Sequence, residues 1–166
     1  MNAKDWQAAS VFCRKLIKEV YDIDYNPDWH QDLDAMGKKE NVYDTPMRGA
    51  FVLVIGDNGA VIACGGLRDL ATRPQLAASL SDRYPDPHAV GGLWRAYVET
   101  EYRGQGLGTV IKVLRIAAAR QLNYETLYLH ASRKNPVAIH FGKTHGFTLF
   151  QEDNDEARTV HMDRAL

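Results

Sequence analysis

Leu93-Trp94-Arg95-Ala96-Tyr97-Val98, running on into Tyr102-Arg103-Gly104-Gln105-Gly106-Leu107-Gly108-Thr109, is the stretch whose reading decides the fold. An apolar, strand-like run enters a glycine-rich turn and then a strongly amphipathic segment. Glycines let the backbone turn tightly and approach a ligand without side-chain collision, while the unpaired N–H groups of a helix's first turn point at whatever anion sits there. Arg103 adds a fixed positive charge. The junction is suited to a phosphate. Strand-to-helix turns of this composition also serve as plain connections, so the loop by itself leaves both readings open.

Two common phosphate loops are excluded. A Walker A loop ends in Gly-Lys-Ser/Thr, whereas Gly108 is followed by Thr109-Val110 and no Lys is placed for terminal phosphates. The dinucleotide fingerprint G-x-G-x-x-G does not fit glycines at positions 104, 106 and 108.

Outward from the loop, Ala9, Phe12, Cys13, Leu16, Ile17 and Val20 predict a helix over residues 5–21 with one buried face. Asn26-Pro27-Asp28 reads as a helix start, with Trp29, Leu33 and Met36 on its inner face and Gly37 at its end. Phe51–Ile55 and Val61–Cys64 flank Gly56-Asp57-Asn58-Gly59 as a hairpin. Residues 71–92 form a long connection, either a binding loop or a tolerated insertion. Beyond the glycine loop, Leu107, Val110, Ile111, Leu114, Ala118 and Leu122 mark a helix ending near Asn123. Thr126–Leu129 is a strand, Asn135-Pro136 opens a helix closed by Gly146, and Phe147–Phe150 with Arg158–Met162 form a closing strand pair.

Composition fits one globular α/β (α+β) domain over 1–166: 45% of residues are hydrophobic, 25% charged, and the formal net charge is −1. That charge gives no reason to expect nucleic acid or an anionic membrane as partner. Cys13 and Cys64 are too few for a metal cluster or a disulfide framework and read as small buried apolar residues; no metal is expected. No stretch of about 18 apolar residues occurs, and a cytoplasmic location is the expectation.

Arg103, Gly106 and Gly108 fill the fixed positions of the R/Q-x-x-G-x-G/A motif, and in these residues the chain resembles the GNAT acyltransferase superfamily. The order of elements over residues 49–162 is also that of the GNAT fold. Supporting details are Gly49-Ala50-Phe51-Val52, hairpin Gly59, and Asn135-Pro136-Val137-Ala138 followed by Gly146-Phe147. A departure is that the family's first strand is missing or very short. The resemblance implies a central mixed, mostly antiparallel twisted sheet flanked by helices, with the glycine loop holding the pyrophosphate of acetyl-CoA, the acyl-donor cosubstrate. It implies that pantetheine pairs with Ala96, Tyr97 and Val98. The pyrophosphate would rest on Arg103, Gly104, Gln105, Gly106, Leu107, Gly108 and Thr109, and Asn135 would reach a pantetheine amide. Asn135 also suits a helix cap. The acceptor is expected to be an amine of a small molecule or peptide, attacking directly in a ternary complex; a homodimer is compatible.

The chemistry is less legible. An alkylammonium is neutral in only ~1 molecule per 1,000 at pH 7, a handicap of roughly 4 kcal/mol that a general base offsets. Many relatives place that Glu six positions before the equivalent of Val98, and a Tyr acid seven after the Asn. Here these positions are Gly92 and Gly142. Replacement candidates are Glu99 and Glu101, beside the loop, and His130, at the end of the strand leading to Asn135; Tyr97, Tyr102, Tyr124 and Tyr128 could each supply an acid, though aromatics in and beside strands usually pack. His140 and His145 read as surface or cap residues. Two glycines at the usual catalytic positions would leave room for water to carry the proton. A longer acyl donor, or a non-catalytic acyl-CoA-binding module, remain alternative readings.

Overall fold

Residues 1–166 are described by a computed structural model. Helix α1 (Ala3–Tyr21) starts at a capping box: the Asn2 side chain accepts from the amides of Lys4 and Asp5, and the Asp5 carboxylate accepts from the Asn2 amide at 2.8 Å. It buries Trp6, Ala9, Phe12, Cys13, Leu16 and Ile17, the expected stripe. Val20 is exposed instead, in the last turn before the helix ends at left-handed Asp22. The Cys13 and Cys64 Sγ atoms lie 3.6 Å apart as buried free thiols.

Helix α2 (Pro27–Asp34) is capped by Asn26, with Pro27 at its first position. Leu33 and Met36 are buried as expected, but Trp29 is 58% exposed. The reason is a kink: His30 leaves helical geometry (φ −119°, ψ 20°), and the inward face carries His30 and Asp32 with Leu33. Periodicity assumes a straight helix and misplaces Trp29.

β1 (Ala50–Ile55) and β2 (Val61–Asp69) form the expected antiparallel hairpin, in register from Ala50–Leu67 to Val54–Ala63, with a shift before the last pair, Ile55–Val61. β2 runs five residues past the expected end at Cys64. Gly65 and Gly66 do not terminate it; they thin it. A Cβ on Gly65 would stand 2.4 Å from Ile111, and one on Gly66 2.5 Å from the Tyr43 ring. Alternate residues of a strand face opposite sides, so each glycine admits a different neighbour.

Helix α3 (Pro74–Ser79) and short 3₁₀ turns occupy the predicted connection, whose last residues already belong to β3 (Val90–Val98). Helix α4 (Leu107–Gln121) buries Ile111, Arg115 and Ala119, while Val110 and Leu114 are exposed. The buried stripe follows a four-residue step that includes an arginine, which hydrophobic periodicity cannot reveal. Burial pushes the Arg115 pKa down to about 10, and its Nη1 donates to the Gly66 carbonyl at 3.4 Å. β4 (Thr126–Ser132), α5 (Pro136–Thr144), β5 (Thr148–Glu152) and β6 (Thr159–Ala165) complete the chain.

The six strands are ordered β1-β2-β3-β4-β6-β5. β3 and β4 are parallel, whereas β1–β2, β4–β6 and β5–β6 are antiparallel, giving the expected mixed sheet with flanking helices. The fold opens on α1, with no strand before the hairpin. The chain divides into two compact units, residues 1–68 with 94–118 and residues 69–93 with 119–166. No helix is long and apolar enough to cross a membrane.

Candidate active site

In the first unit, the glycine loop forms the turn into α4. Gly104 (φ 75°) and Gly106 (φ 84°) are left-handed, and no heavy atom lies within 4 Å of where a Cβ would stand on either. The Arg103 amide donates to the Thr100 carbonyl at 3.3 Å and the Thr109 amide to the Gly106 carbonyl at 2.9 Å. Between them, the amides of Gly104, Gln105, Gly106, Leu107 and Gly108 donate to no protein acceptor. A run of free donors at the positive end of a helix, walled by glycines, fits a pyrophosphate. The Arg103 guanidinium folds back so that Nε donates to the Val98 carbonyl at 3.0 Å, placing a cation at the strand's end. A cavity of about 370 Å³ opens beside the loop, lined by Asn58, Ile62, Tyr102, Gln105 and Leu107.

The strand that feeds this loop carries a feature with no sequence signal. Arg95 has φ 52° inside β3, a conformation that costs a residue with a Cβ on the order of 1–3 kcal/mol. Its side chain compensates. Nε and Nη2 donate to the two oxygens of Asp32 at 2.8 and 2.7 Å, and Nη2 also donates to the Trp29 carbonyl at 3.2 Å. The Tyr43 hydroxyl donates to Asp32 Oδ2 at 2.5 Å, and the Cys64 thiol donates to the Arg95 carbonyl at 3.2 Å. Burial by itself would raise the Asp32 carboxyl, yet the Arg95 and Tyr43 hydrogen bonds hold it below the usual carboxylate range. Burial and the Asp32 charge push the Tyr43 hydroxyl up.

Of the sequence candidates for proton transfer, Glu99 belongs to this unit. Its carboxylate accepts from Lys15 Nζ at 2.6 Å, and the pair sits at a second cavity, of about 380 Å³, with Glu19, Glu101 and Tyr102. The Lys15 ammonium occupies one oxygen of this carboxylate.

In the second unit, Asn135 caps α5, its side chain accepting from the Ala138 amide at 3.1 Å. His145 closes the same helix by donating from Nδ1 to the Phe141 carbonyl at 2.7 Å, the cap role expected of it. His130 is exposed on β4, its ring centroid 5.9 Å from Tyr128 and 6.4 Å from His161. The expectation of open space at both glycines is corrected at Gly142. That residue is buried, and Met162 Sδ and Cε would stand 3.0 Å from a Cβ there, so a methionine fills the position.

The sequence reading missed a hydrogen-bonded chain in this unit. Asp153 Oδ2 lies 2.9 Å from His161 Nε2, and His161 Nδ1 lies 2.7 Å from the Tyr128 hydroxyl. Hydrogen bonds from Gln151 and His161 hold the Asp153 carboxyl low, so Asp153 accepts. His161 therefore donates from Nε2; in a neutral ring, Nδ1 then accepts from the Tyr128 hydroxyl. Tyr128 is the cross-strand partner of Gly92, the position where relatives place a Glu. The β3–β4 pairing stops at this pair. Nothing in local sequence links residues on β4, β6 and the turn between β5 and β6.

A mixed sheet whose third strand runs through a glycine turn into a helix is also the fold of known N-acetyltransferases. The chain belongs to the acetyltransferase (GNAT) family, whose sequence model matches residues 14–147. It is an N-acetyltransferase of that family, with acetyl-CoA as donor. Among solved structures, it is similar to an acetyltransferase of the GNAT family from Staphylococcus aureus Mu50 (TM-score 0.76, 19% identity, covering 99% of this chain and 95% of that one). It is also similar to the PaiA N-acetyltransferase from Thermoplasma acidophilum in complex with coenzyme A (TM-score 0.69, 15% identity, 100% and 96% covered). A third is a spermidine N-acetyltransferase SpeG chimera from Vibrio cholerae and hSSAT (TM-score 0.61, 17% identity, 96% and 91% covered). At these identities the likeness is one of fold. No curated protein sequence matches the chain.

Proposed function

We propose that the protein transfers acetyl from acetyl-CoA directly to an amine of a small molecule or peptide, in the cytoplasm, without a covalent enzyme intermediate. The observation that carries this reading is the row of unpartnered amides from Gly104 to Gly108 behind two open, left-handed glycines. These amides and the Arg103 charge bind and orient the donor's pyrophosphate, and the main chain of Ala96, Tyr97 and Val98 offers an edge to its pantetheine arm. Acetyl-CoA supplies the activated acyl group. The protein's part is to hold it, align the amine, and move one proton from the nitrogen.

For that proton we favour His130 over Glu99. Glu99 is bound to Lys15, whereas His130 is exposed on β4, its ring 5.9 Å from that of Tyr128 and 6.4 Å from that of His161. His130→Ala is expected to lower turnover about 100-fold, the usual scale for a positioned general base. The acidic limb of the wild-type pH–rate profile should disappear with it. Turnover that survives the substitution and climbs with pH as the amine deprotonates would instead assign the proton to water.

A further inference from the structure

We propose that Asp32 and Tyr43 are positioning residues for the acyl donor: through Arg95 they hold β3 in the left-handed kink that fixes how residues 96–98 present their main chain. The proposal rests on the reading that these residues pair with the pantetheine arm.

The kink is not a conformation this strand adopts unaided, because a residue with a Cβ is disfavoured at φ 52° and an arginine relaxes readily to the extended region. What opposes relaxation is a set of bonds that converge on one residue. Both Asp32 oxygens engage the guanidinium, the Tyr43 hydroxyl fixes one of those oxygens, and the Cys64 thiol holds the Arg95 carbonyl from the other direction. The Asp32 side chain is 4% exposed and that of Arg95 12%, so water competes weakly for either.

A buried ion pair is an inefficient way to gain stability, since an apolar pair of the same volume often serves as well. A bidentate pair does something an apolar pair cannot: it fixes the orientation of the guanidinium plane, and with it the backbone from which that side chain springs. One left-handed residue in an extended strand turns the peptides that follow it. Main-chain recognition depends on where those N–H and C=O groups point. The residues that follow Arg95 are Ala96, Tyr97 and Val98. The clamp also reaches α2, through Asp32 and the Trp29 carbonyl, so the donor's edge is set by a helix far away in sequence.

The test uses Asp32→Asn, which keeps the shape and removes the charge. In the ligand-free protein, amide hydrogen exchange over residues 94–98 should quicken severalfold. The KM for acetyl-CoA and the Kd for coenzyme A should each rise about tenfold, the loss of roughly one main-chain hydrogen bond, with kcat changed much less. Adding Arg95→Gly to Asp32→Asn should recover part of the donor affinity, because glycine reaches a positive φ without the strain that a Cβ adds. Tyr43→Phe should move both readouts in the same direction by about threefold; it supplies the result if Asp32→Asn does not fold. Unchanged exchange and unchanged KM in a folded Asp32→Asn or Tyr43→Phe protein would overturn the proposal. So would a double variant no better than the single one, which would reduce the pair to packing. Exchange is read without ligand, so a wild-type protein that failed to bind coenzyme A would count against the functional reading and leave the clamp still testable.

Discussion

Gly108→Asp is expected to leave the protein folded and to abolish its stabilisation by coenzyme A. Saturating donor at 100 times its dissociation constant stabilises a folded protein by about 2.7 kcal/mol, a rise of about 5–10 °C in Tm for a chain of this size. The new carboxylate would stand among the free amides of the first turn of α4, where the pyrophosphate is expected. An aspartate in a helix's first turn favours the helix by about 0.3–1 kcal/mol. The substitution therefore separates the two functions of the loop: folding should hold or improve while anion binding is lost to repulsion and crowding. Gly108 has no positive φ, so backbone strain does not confuse the result as it would for Gly106→Val, where φ is 84°. A thermal scan with and without millimolar coenzyme A checks it. Wild-type-like stabilisation in the variant would mean that the loop is only a connection.

Gly66→Val is expected to cost about 3 kcal/mol or more of stability, at the high end for overpacking. A Cβ at this position would lie 2.5 Å from Tyr43 Cε1 and 2.9 Å from Cδ1. The ring has little freedom to retreat, because Tyr43 is almost fully buried and its hydroxyl is bonded to Asp32. Pushing Tyr43 aside loosens Asp32, and through it Arg95, so the damage should extend to the strand beside the donor. Urea unfolding measures the loss. A midpoint within experimental error of wild type would show that Tyr43 repacks freely and that the clamp is softer than its geometry indicates.

Gly65 and Gly66 also show where sequence reading stops. A Gly-Gly pair after Val61–Cys64 reads as the end of a strand, since glycine favours turns and weakens β-structure. The pair is instead the thin part of a longer strand, and only the positions of Ile111 and Tyr43 reveal why. By contrast, the glycine loop, the hairpin at Gly56–Gly59 and the Asn135-Pro136 helix start were legible, because each is a local rule about φ, capping or turn chemistry. The face of α4 was misread because a charged residue, Arg115, occupies its buried stripe, and the face of α2 because a kink at His30 breaks the period.

The clamp was the least legible feature. Asp32 and Arg95 are 63 residues apart, and each looks like an ordinary surface charge in its own segment. The Tyr128–His161–Asp153 chain has the same character: a tyrosine in a strand reads as packing, and only the β4–β6 register brings His161 beside it. Local pattern identified the glycine turn and the helix it opens; pairings that set backbone direction and proton position exist only in three dimensions.

The most direct test is amine-dependent release of the coenzyme A thiol from acetyl-CoA, measured with wild-type protein across primary amines of small molecules and peptides. Release well above the uncatalysed rate with at least one amine, lost in Gly108→Asp, is the predicted result. Binding of acetyl-CoA with no amine-dependent release across the panel would contradict it and leave a module that holds the donor without using it.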